Sequence, residues 1–452
     1  MLNIFFRSRL FAAALAFCVP FTPFTLAQNT ASGIRIWQID PLEKVLRESR
    51  AFLENTAPAD AARGETASFQ FVFLNPAATE QLRVAVSPLR SGNVATLAAG
   101  AIYFVSYVHV GRNTPVPSKD KILSPSGFYP DPLLPAEAGI DLPAGEVQPV
   151  RISVPVPATA TPGDYEADVT ISGRSGGKAF SVVKKIRLTV WPVTIAQTSL
   201  WVTNWMNLSP DNLAKLNGGA PVEPFSDQYW MLVRLLAESA AAHGQNIALI
   251  SPAGLAQFSV TGENRYAFDF SRFDRMTELF MKAGIRRIEG GHLGGRLGNW
   301  TSPFGVSVPL PENPAQISML PLDDPRTKQF LDQFLPALRL HLQEKGWDAI
   351  YLQHIADEPI RENIDSYRAI SAYVRERLPG IKIVEANHAA DLAGSIDCWV
   401  PQLNFLHTDF PFYQERQRLG EEIWFYTCLA PQGNYANRFL ELPLIQTRIL
   451  HW

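Results

Sequence analysis

The run His354-Ile355-Ala356-Asp357-Glu358-Pro359 sets two carboxylates side by side at the end of an apolar segment, Ala349-Ile350-Tyr351-Leu352-Gln353. Like charges at that range repel, so one of the two pKa values should rise, which suits a general acid working near neutral pH. A structural assignment competes with the chemical one: either acid could cap the next helix or pair with Arg361. Glu385 leaves another apolar segment, Lys382-Ile383-Val384-Glu385, and is the candidate for a second carboxylate.

Two carboxylates on opposite sides of a glycosidic bond are the usual equipment for its hydrolysis with retention, one as acid and one as nucleophile. The nucleophile would leave a later segment, but Tyr426-Thr427-Cys428-Leu429 carries no acid there, and Glu421 and Glu422 lie at its other end. Two mechanisms therefore stay open. In one, Glu358 is the acid and a 2-acetamido group on the substrate is the nucleophile. In the other, Glu385 fills the second role.

Polar and aromatic residues end neighbouring segments: Asn204 and Trp205, His292, Asn387 and His388, Gln402 and Asn404, and Tyr426. Trp205, Trp300 and Trp399 have faces on which a sugar could stack, and each could equally be core. His292, His354 and His388 would be the ligands of a zinc alternative, but no H-E-x-x-H or similar spacing supports it, so no metal and no cofactor is expected. No G-x-S-x-G element argues for a serine nucleophile.

These residues need a scaffold that gathers segment ends. From residue 199 onwards short apolar runs alternate with helical stretches: strands at 201–205, 247–250, 287–290, 349–353, 382–385, 397–400 and 423–427, with helices over about 226–243, 273–282, 327–345, 364–378, 411–419 and 436–450. Repeated strand-then-helix units imply parallel strands with helical crossovers. Seven of them fit a (β/α)8 TIM-type barrel whose C-terminal strand ends carry the site. The eighth strand is not found before Trp452, so the expectation is an incomplete barrel over 199–452.

Residues 33–196 read differently. Phe69–Phe73, Leu82–Val86, Val150–Val154, Tyr165–Ile171 and Lys185–Trp191 alternate apolar with polar, which is a strand with one buried face. Pro162-Gly163-Asp164 and Ser175-Gly176-Gly177 mark turns, and the sum suggests a β-sandwich. The stretch 111–149 shows no period and reads as an ordered excursion. The fold class expected is therefore a multidomain chain, β followed by α/β.

Of 452 residues, 46% are apolar and 18% charged, which suits two globular domains. Forty Lys and Arg against 43 Asp and Glu give a charge of −3, without the basic excess of a nucleic-acid binder. Residues 1–27 read as a signal peptide: Arg7 and Arg9, an apolar Leu10–Val19, then Thr25-Leu26-Ala27. That implies export to the periplasm or beyond, with no membrane span in the mature chain. Cys398 and Cys428 remain, and two buried thiols are expected.

Several of these segments resemble glycoside hydrolase family 123. Arg63-Gly64-Glu65-Thr66-Ala67-Ser68-Phe69-Gln70, Tyr129–Pro135 and Pro162-Gly163-Asp164-Tyr165 look like its N-terminal module. Asp357-Glu358-Pro359, Pro379-Gly380-Ile381-Lys382, Asp397–Gln402, Trp424–Cys428 and Tyr435–Phe439 look like its catalytic domain. The resemblance implies a retaining β-N-acetylgalactosaminidase-like enzyme acting on an oligosaccharide or glycan. In it Glu358 would be acid and base, Asp357 would orient the 2-acetamido group, and Tyr426 would hydrogen-bond that group. The other expectations are a glycosidase for a different sugar, and a carbohydrate-binding protein without turnover.

Overall fold

The computed structural model describes residues 33–122, 127–195, 199–261, 265–388 and 390–450; the expected signal peptide lies outside them. The chain forms two units. The first comprises residues up to 113, 122–196 and 443–445; the second comprises 114–121, 197–442 and 446–452.

In the first unit two sheets share one core. One sheet runs Arg35–Ile39, Thr66–Leu74, Val147–Pro155, Ala101–Val110 and Gly127–Pro135 in spatial order. The other is built on Gly163–Ser175 paired antiparallel with Lys178–Thr194 and with Thr79–Val86. Alternation does the sorting: Phe69, Phe71 and Phe73 face Tyr165, Val169, Ile171, Ile186 and Leu188 in the core. Residues one step along, Val72 and Leu74, join Trp37, Ile39 and Val147 on the other face. Part of the aperiodic stretch 111–149 is a strand after all. Gly127–Pro135 carries Pro130, Pro132 and Pro135, which blur the signal, and it lies at the sheet edge where a missing N–H is tolerated.

The second unit holds six parallel strands in spatial order Ile247–Leu249, Arg287–His292, Tyr351–His354, Lys382–Asn387, Cys398–Pro401 and Glu422–Ile423. The sheet is bowed. Arg287 on the second strand makes a two-pronged contact with Glu422 on the sixth, 2.7 and 2.9 Å, and Lys382 on the fourth reaches the same carboxylate at 2.8 Å. Leu352, Val384, Cys398, Val400 and Trp424 pack together on the concave side. Arg287, Lys382 and Glu422 come from alternate strands, as side chains in a barrel layer do. A closed ring of hydrogen-bonded strands is not formed among the described residues.

The expected strand 201–205 is not one. It runs beside Ile247–Leu249, but Val202 N–H donates to the Asn246 side chain at 2.8 Å, while Asn246 N–H and Ile247 N–H both reach Val202 O. The Asn246 amide replaces the ladder. The helices fall where caps and glycines put them: Asp227–Ala242 behind Ser226, Ser271–Ala283 before left-handed Gly284, and Pro325–Lys345 between Asp324 and left-handed Gly346. The expected helix 436–450 shrinks to Leu444–Ile449, because the Asn437 side chain donates to Cys428 O and Pro431 O and holds the preceding segment in turns. Cys398 is buried but Cys428 is exposed; both thiols are free.

One glycine is dictated by the site's floor. A Cβ at Gly290 would sit 1.8 Å from Tyr351 Oη, which donates to Gln353 Oε1 at 2.7 Å. Gly290→Ala should therefore cost about 1–3 kcal/mol, the scale of overpacking in a filled core. A thermal melt checks it, and an unchanged midpoint would show that Tyr351 can move aside.

Candidate active site

Ile355 and Ala356 carry the chain out of the Tyr351–His354 strand into a bend at Asp357 and Glu358. Glu358 adopts φ +48, the left-handed region that non-glycine residues avoid. The turn is held from outside. Arg296 donates from Nη1 to Asp357 O at 3.0 Å and from Nη2 to Glu358 O at 2.7 Å, and its guanidinium lies 3.7 Å over the Trp300 ring. Arg296→Lys keeps the charge but not the fork. It should lower kcat about tenfold, since a site loosened by an ångström loses near-attack geometry. Steady-state kinetics would read this, and an unchanged kcat would mean that the turn holds itself.

The two carboxylates have different surroundings. Glu358 accepts a hydrogen bond from Tyr426 Oη on Oε1 and has His388 Nε2 at 3.4 Å. His388 Nε2 is also 2.7 Å from Tyr426 Oη. Burial works to raise the Glu358 pKa, but the His388 and Tyr426 hydrogen bonds and the charges of His388 and Arg296 outweigh it, and the net shift is downward. Asp357 goes the other way: burial, then the charges of Glu358 and Glu385, raise it against His292 and Arg296. One pKa of the pair is thus raised, that of Asp357, and burial contributes more to the rise than the neighbouring Glu358 does. Among the described residues the partners of these acids are His292, His388 and Tyr426, not a helix N-terminus or Arg361.

Beneath the turn is a buried polar chain. Trp205 Nε1–H donates to Glu289 Oε2 at 2.8 Å, and that oxygen is 3.0 Å from His354 Nε2. His354 Nδ1 is 2.9 Å from Glu385 Oε1, and His292 Nε2 is 3.1 Å from the same oxygen. Glu385 Oε2 accepts from Ile355 N–H at 2.8 Å, Ala356 N–H at 3.0 Å and Tyr367 Oη at 3.2 Å. Burial opposes charge on Glu385, yet His354 and His292 hold its pKa at about 2. Burial likewise opposes charge on His354, yet Glu385 and Glu289 raise it to about 10. The fully buried Glu385 therefore has no lone pair turned to a substrate. The ligand atoms of His292, His354 and Glu385 lie within 4.8 Å of one another. His354 has a carboxylate on each ring nitrogen, Glu289 on Nε2 and Glu385 on Nδ1, so the histidine is held as the centre of a buried ion-pair chain. His388, the third histidine of the zinc alternative, sits with Glu358 instead.

A cavity of about 730 Å³ opens at this end of the sheet, lined by Asn204, Trp205, Glu289, His354, Asp357, Glu358, Tyr426 and Arg438 among others. That is room for a sugar and part of its neighbour. Four expected contacts, Trp399, Asn387, Gln402 and His292, are not among its lining residues. Trp399 is fully buried, with its ring edge-on to Phe412 and Tyr413 and its Nε1–H on Glu421. Asn387 is fully buried and donates to Tyr413 Oη at 3.2 Å. Strand alternation explains both: Ala386 and Val400 line the cavity, so their neighbours Asn387 and Trp399 point away. Gln402 is buried and donates to Asn404 Oδ1, touching Tyr426 Oη only at 3.4 Å. His292 lies below the turn. Asn204 does face the cavity and accepts from Arg438 at 2.6 Å.

Reasoning on segment ends missed Arg296, Glu289 and Arg438. Glu289 had little signal, since its strand also carries Arg287 and His292; Arg296 had none, since it lies in an antiparallel excursion over 294–320 that is foreign to the strand–helix repeat.

The family profile for "Glycoside hydrolase 123, catalytic domain" matches residues 205–452, and that for the "Glycoside hydrolase 123 N-terminal domain" matches 43–173. The chain belongs to glycoside hydrolase family 123. Among solved structures, a family 123 glycoside hydrolase from Clostridium perfringens, described for glycolipid glycan hydrolysis, is 16% identical with a TM-score of 0.69, covering 91% of this chain and 74% of that one. That likeness is one of fold. A β-glucuronidase from Parabacteroides merdae, 12% identical, covers 79% of this chain and 36% of that one, but at a TM-score of 0.25. No curated protein matches the sequence. Family membership makes the chain a glycoside hydrolase with a glycan substrate, and it places Asp357-Glu358 in the matched catalytic region.

Proposed function

We propose that this family 123 chain is a retaining β-N-acetylhexosaminidase, with N-acetylgalactosamine as the preferred sugar, and that it works by substrate assistance. The observation that carries this is the saturation of Glu385. With that carboxylate buried and bonded on both oxygens, the turn offers a substrate only Asp357 and Glu358, which are adjacent in the chain and so cannot flank a sugar as acid and nucleophile. The other lining acid, Glu289, is buried and held by His354 and Trp205. The acetamido oxygen of the substrate supplies the missing nucleophile.

In this reading the acetamido oxygen attacks the anomeric carbon while Glu358 gives its proton to the departing oxygen. Asp357 accepts from the acetamido N–H as positive charge develops on the oxazolinium. Water then attacks the same carbon, its proton goes to the Glu358 carboxylate, and the sugar leaves with its configuration retained. Glu358 must be protonated for the first step, whereas Tyr426 and His388 favour its anion. A bound sugar buries Glu358 further, and burial already acts to raise it. Export by the 1–27 leader belongs to the same proposal. No described helix is long and apolar enough to cross a membrane.

The test is nitrophenol release from β-N-acetylgalactosaminide and β-N-acetylglucosaminide beside their 2-hydroxy counterparts. Release should come only from the acetamido sugars and fastest from the galacto form. Equal rates from 2-hydroxy sugars would remove substrate assistance.

A further inference from the structure

Glu385 touches more of the catalytic turn than its exclusion from the cavity suggests. One of its oxygens binds the two backbone N–H groups just before Asp357. The other is shared by His354 Nδ1 and His292 Nε2. The same Nε2 of His292 lies 4.0 Å from Asp357 Oδ1. Facing two carboxylates, this nitrogen is placed to donate to either. Trp205 stands edge-on to the His292 ring with centroids 5.5 Å apart, and the His354 ring is 4.9 Å away, so the imidazole is confined to the gap between the two acids.

We propose that His292 is the positioning residue for Asp357, with one N–H that moves between Glu385 and Asp357. In the structure it rests on Glu385, at 3.1 Å. It turns to Asp357 when that carboxylate must be charged and correctly aimed at the acetamido N–H. A displacement of about 1 Å brings the 4.0 Å contact into hydrogen-bond range. No covalent bond forms or breaks; the proton stays on His292 and only its acceptor changes. The charged groups facing Asp357 are His292, Glu358, Glu385 and Arg296, and those facing His292 are Asp357, Glu385 and His354. The role rests on the reading of Asp357 given above.

The experiment compares His292→Phe, His292→Gln, Asp357→Ala and the double variant His292→Phe/Asp357→Ala in the full chain on a nitrophenyl β-N-acetylhexosaminide. His292→Phe should lower kcat about 10- to 50-fold with KM changed less than about threefold, as expected when the lost interaction serves the transition state. His292→Gln, which keeps an N–H at similar reach, should recover most of the rate. The double variant should be no slower than Asp357→Ala, because the loss runs through that residue. Multiplied losses, or a Gln variant no better than Phe, would overturn the proposal. If His292→Phe does not fold, His292→Ala takes its place in the cycle. If the wild type releases no nitrophenol from this substrate, the hexosaminidase reading fails, and urea unfolding of the wild type, His292→Phe, Asp357→Ala and the double variant decides this one. Non-additive stabilities uphold the His292–Asp357 pair, and additive ones reject it.

Discussion

Glu358→Gln loses at least about 10²-fold in kcat on a nitrophenyl β-N-acetylhexosaminide, the scale for removal of a general acid–base. The amide is nearly isosteric, and its oxygen can still accept from Tyr426 Oη, so the turn and the fold should survive. What disappears is the ability to give a proton to the leaving oxygen and take one from water. The loss should be larger with an alkyl aglycone than with nitrophenol, because the poorer leaving group depends more on the acid. Rates within tenfold of wild type for both aglycones would remove Glu358 from the chemistry. A thermal melt run in parallel separates lost catalysis from lost fold.

Glu385→Gln attacks stability first. In the wild type every partner of this carboxylate is a donor: His354, His292, Ile355 N–H, Ala356 N–H and Tyr367 Oη. An amide has one oxygen and one NH2, so in either orientation its NH2 confronts buried donors, and His354 loses half of the negative charge that balances it. Breaking a buried ion pair on one side costs about 3–5 kcal/mol. For a unit of this size that is a fall in melting temperature of roughly 10 °C. The pH dependence has a definite sign. The Glu385 pKa falls from 4.5 to about 2 on folding, so its contribution is full above 4.5 and lost as pH falls towards 2. That of His354 rises from 6.5 to about 10, so its contribution is full below 6.5 and lost as pH rises through 10. The stability gap between wild type and Glu385→Gln should be widest between these windows, near about pH 5.5, and narrow on both sides. A gap that stays constant with pH would mean that the pair is not ionised in the fold.

Sequence patterns located what depends on local rules. The helices expected over 273–282 and 327–345 end at left-handed Gly284 and Gly346 because a helix stop is decided within a few residues. Period two gave the inner strands of the sandwich because one face of each is buried. The edge strand 127–135 escaped because its prolines break that pattern without breaking the strand. At the site, Asp357 and Glu358 stood out because adjacent acids at a strand exit are costly without a purpose. Trp399 and Asn387 were misplaced because a strand end gives a residue's height in a sheet but not its face, and one step along the chain reverses it. The contact between Glu385 and His292 spans 93 residues and three strands of the sheet, and no local rule reaches that far.

The second unit is not one stretch of chain. Residues 114–121 arrive from within the first unit's sequence and supply partners to it: Val116 N–H to Gln432, Lys119 N–H to Asn434, and Thr114 N–H and hydroxyl to Glu441. Glu441 is buried to 4% exposure. A gene fragment beginning at codon 197 would therefore encode a buried anion stripped of its Thr114 donors. The separable module here is a set of three segments, and dissecting the protein takes a circular rearrangement or co-expressed pieces rather than a single cut.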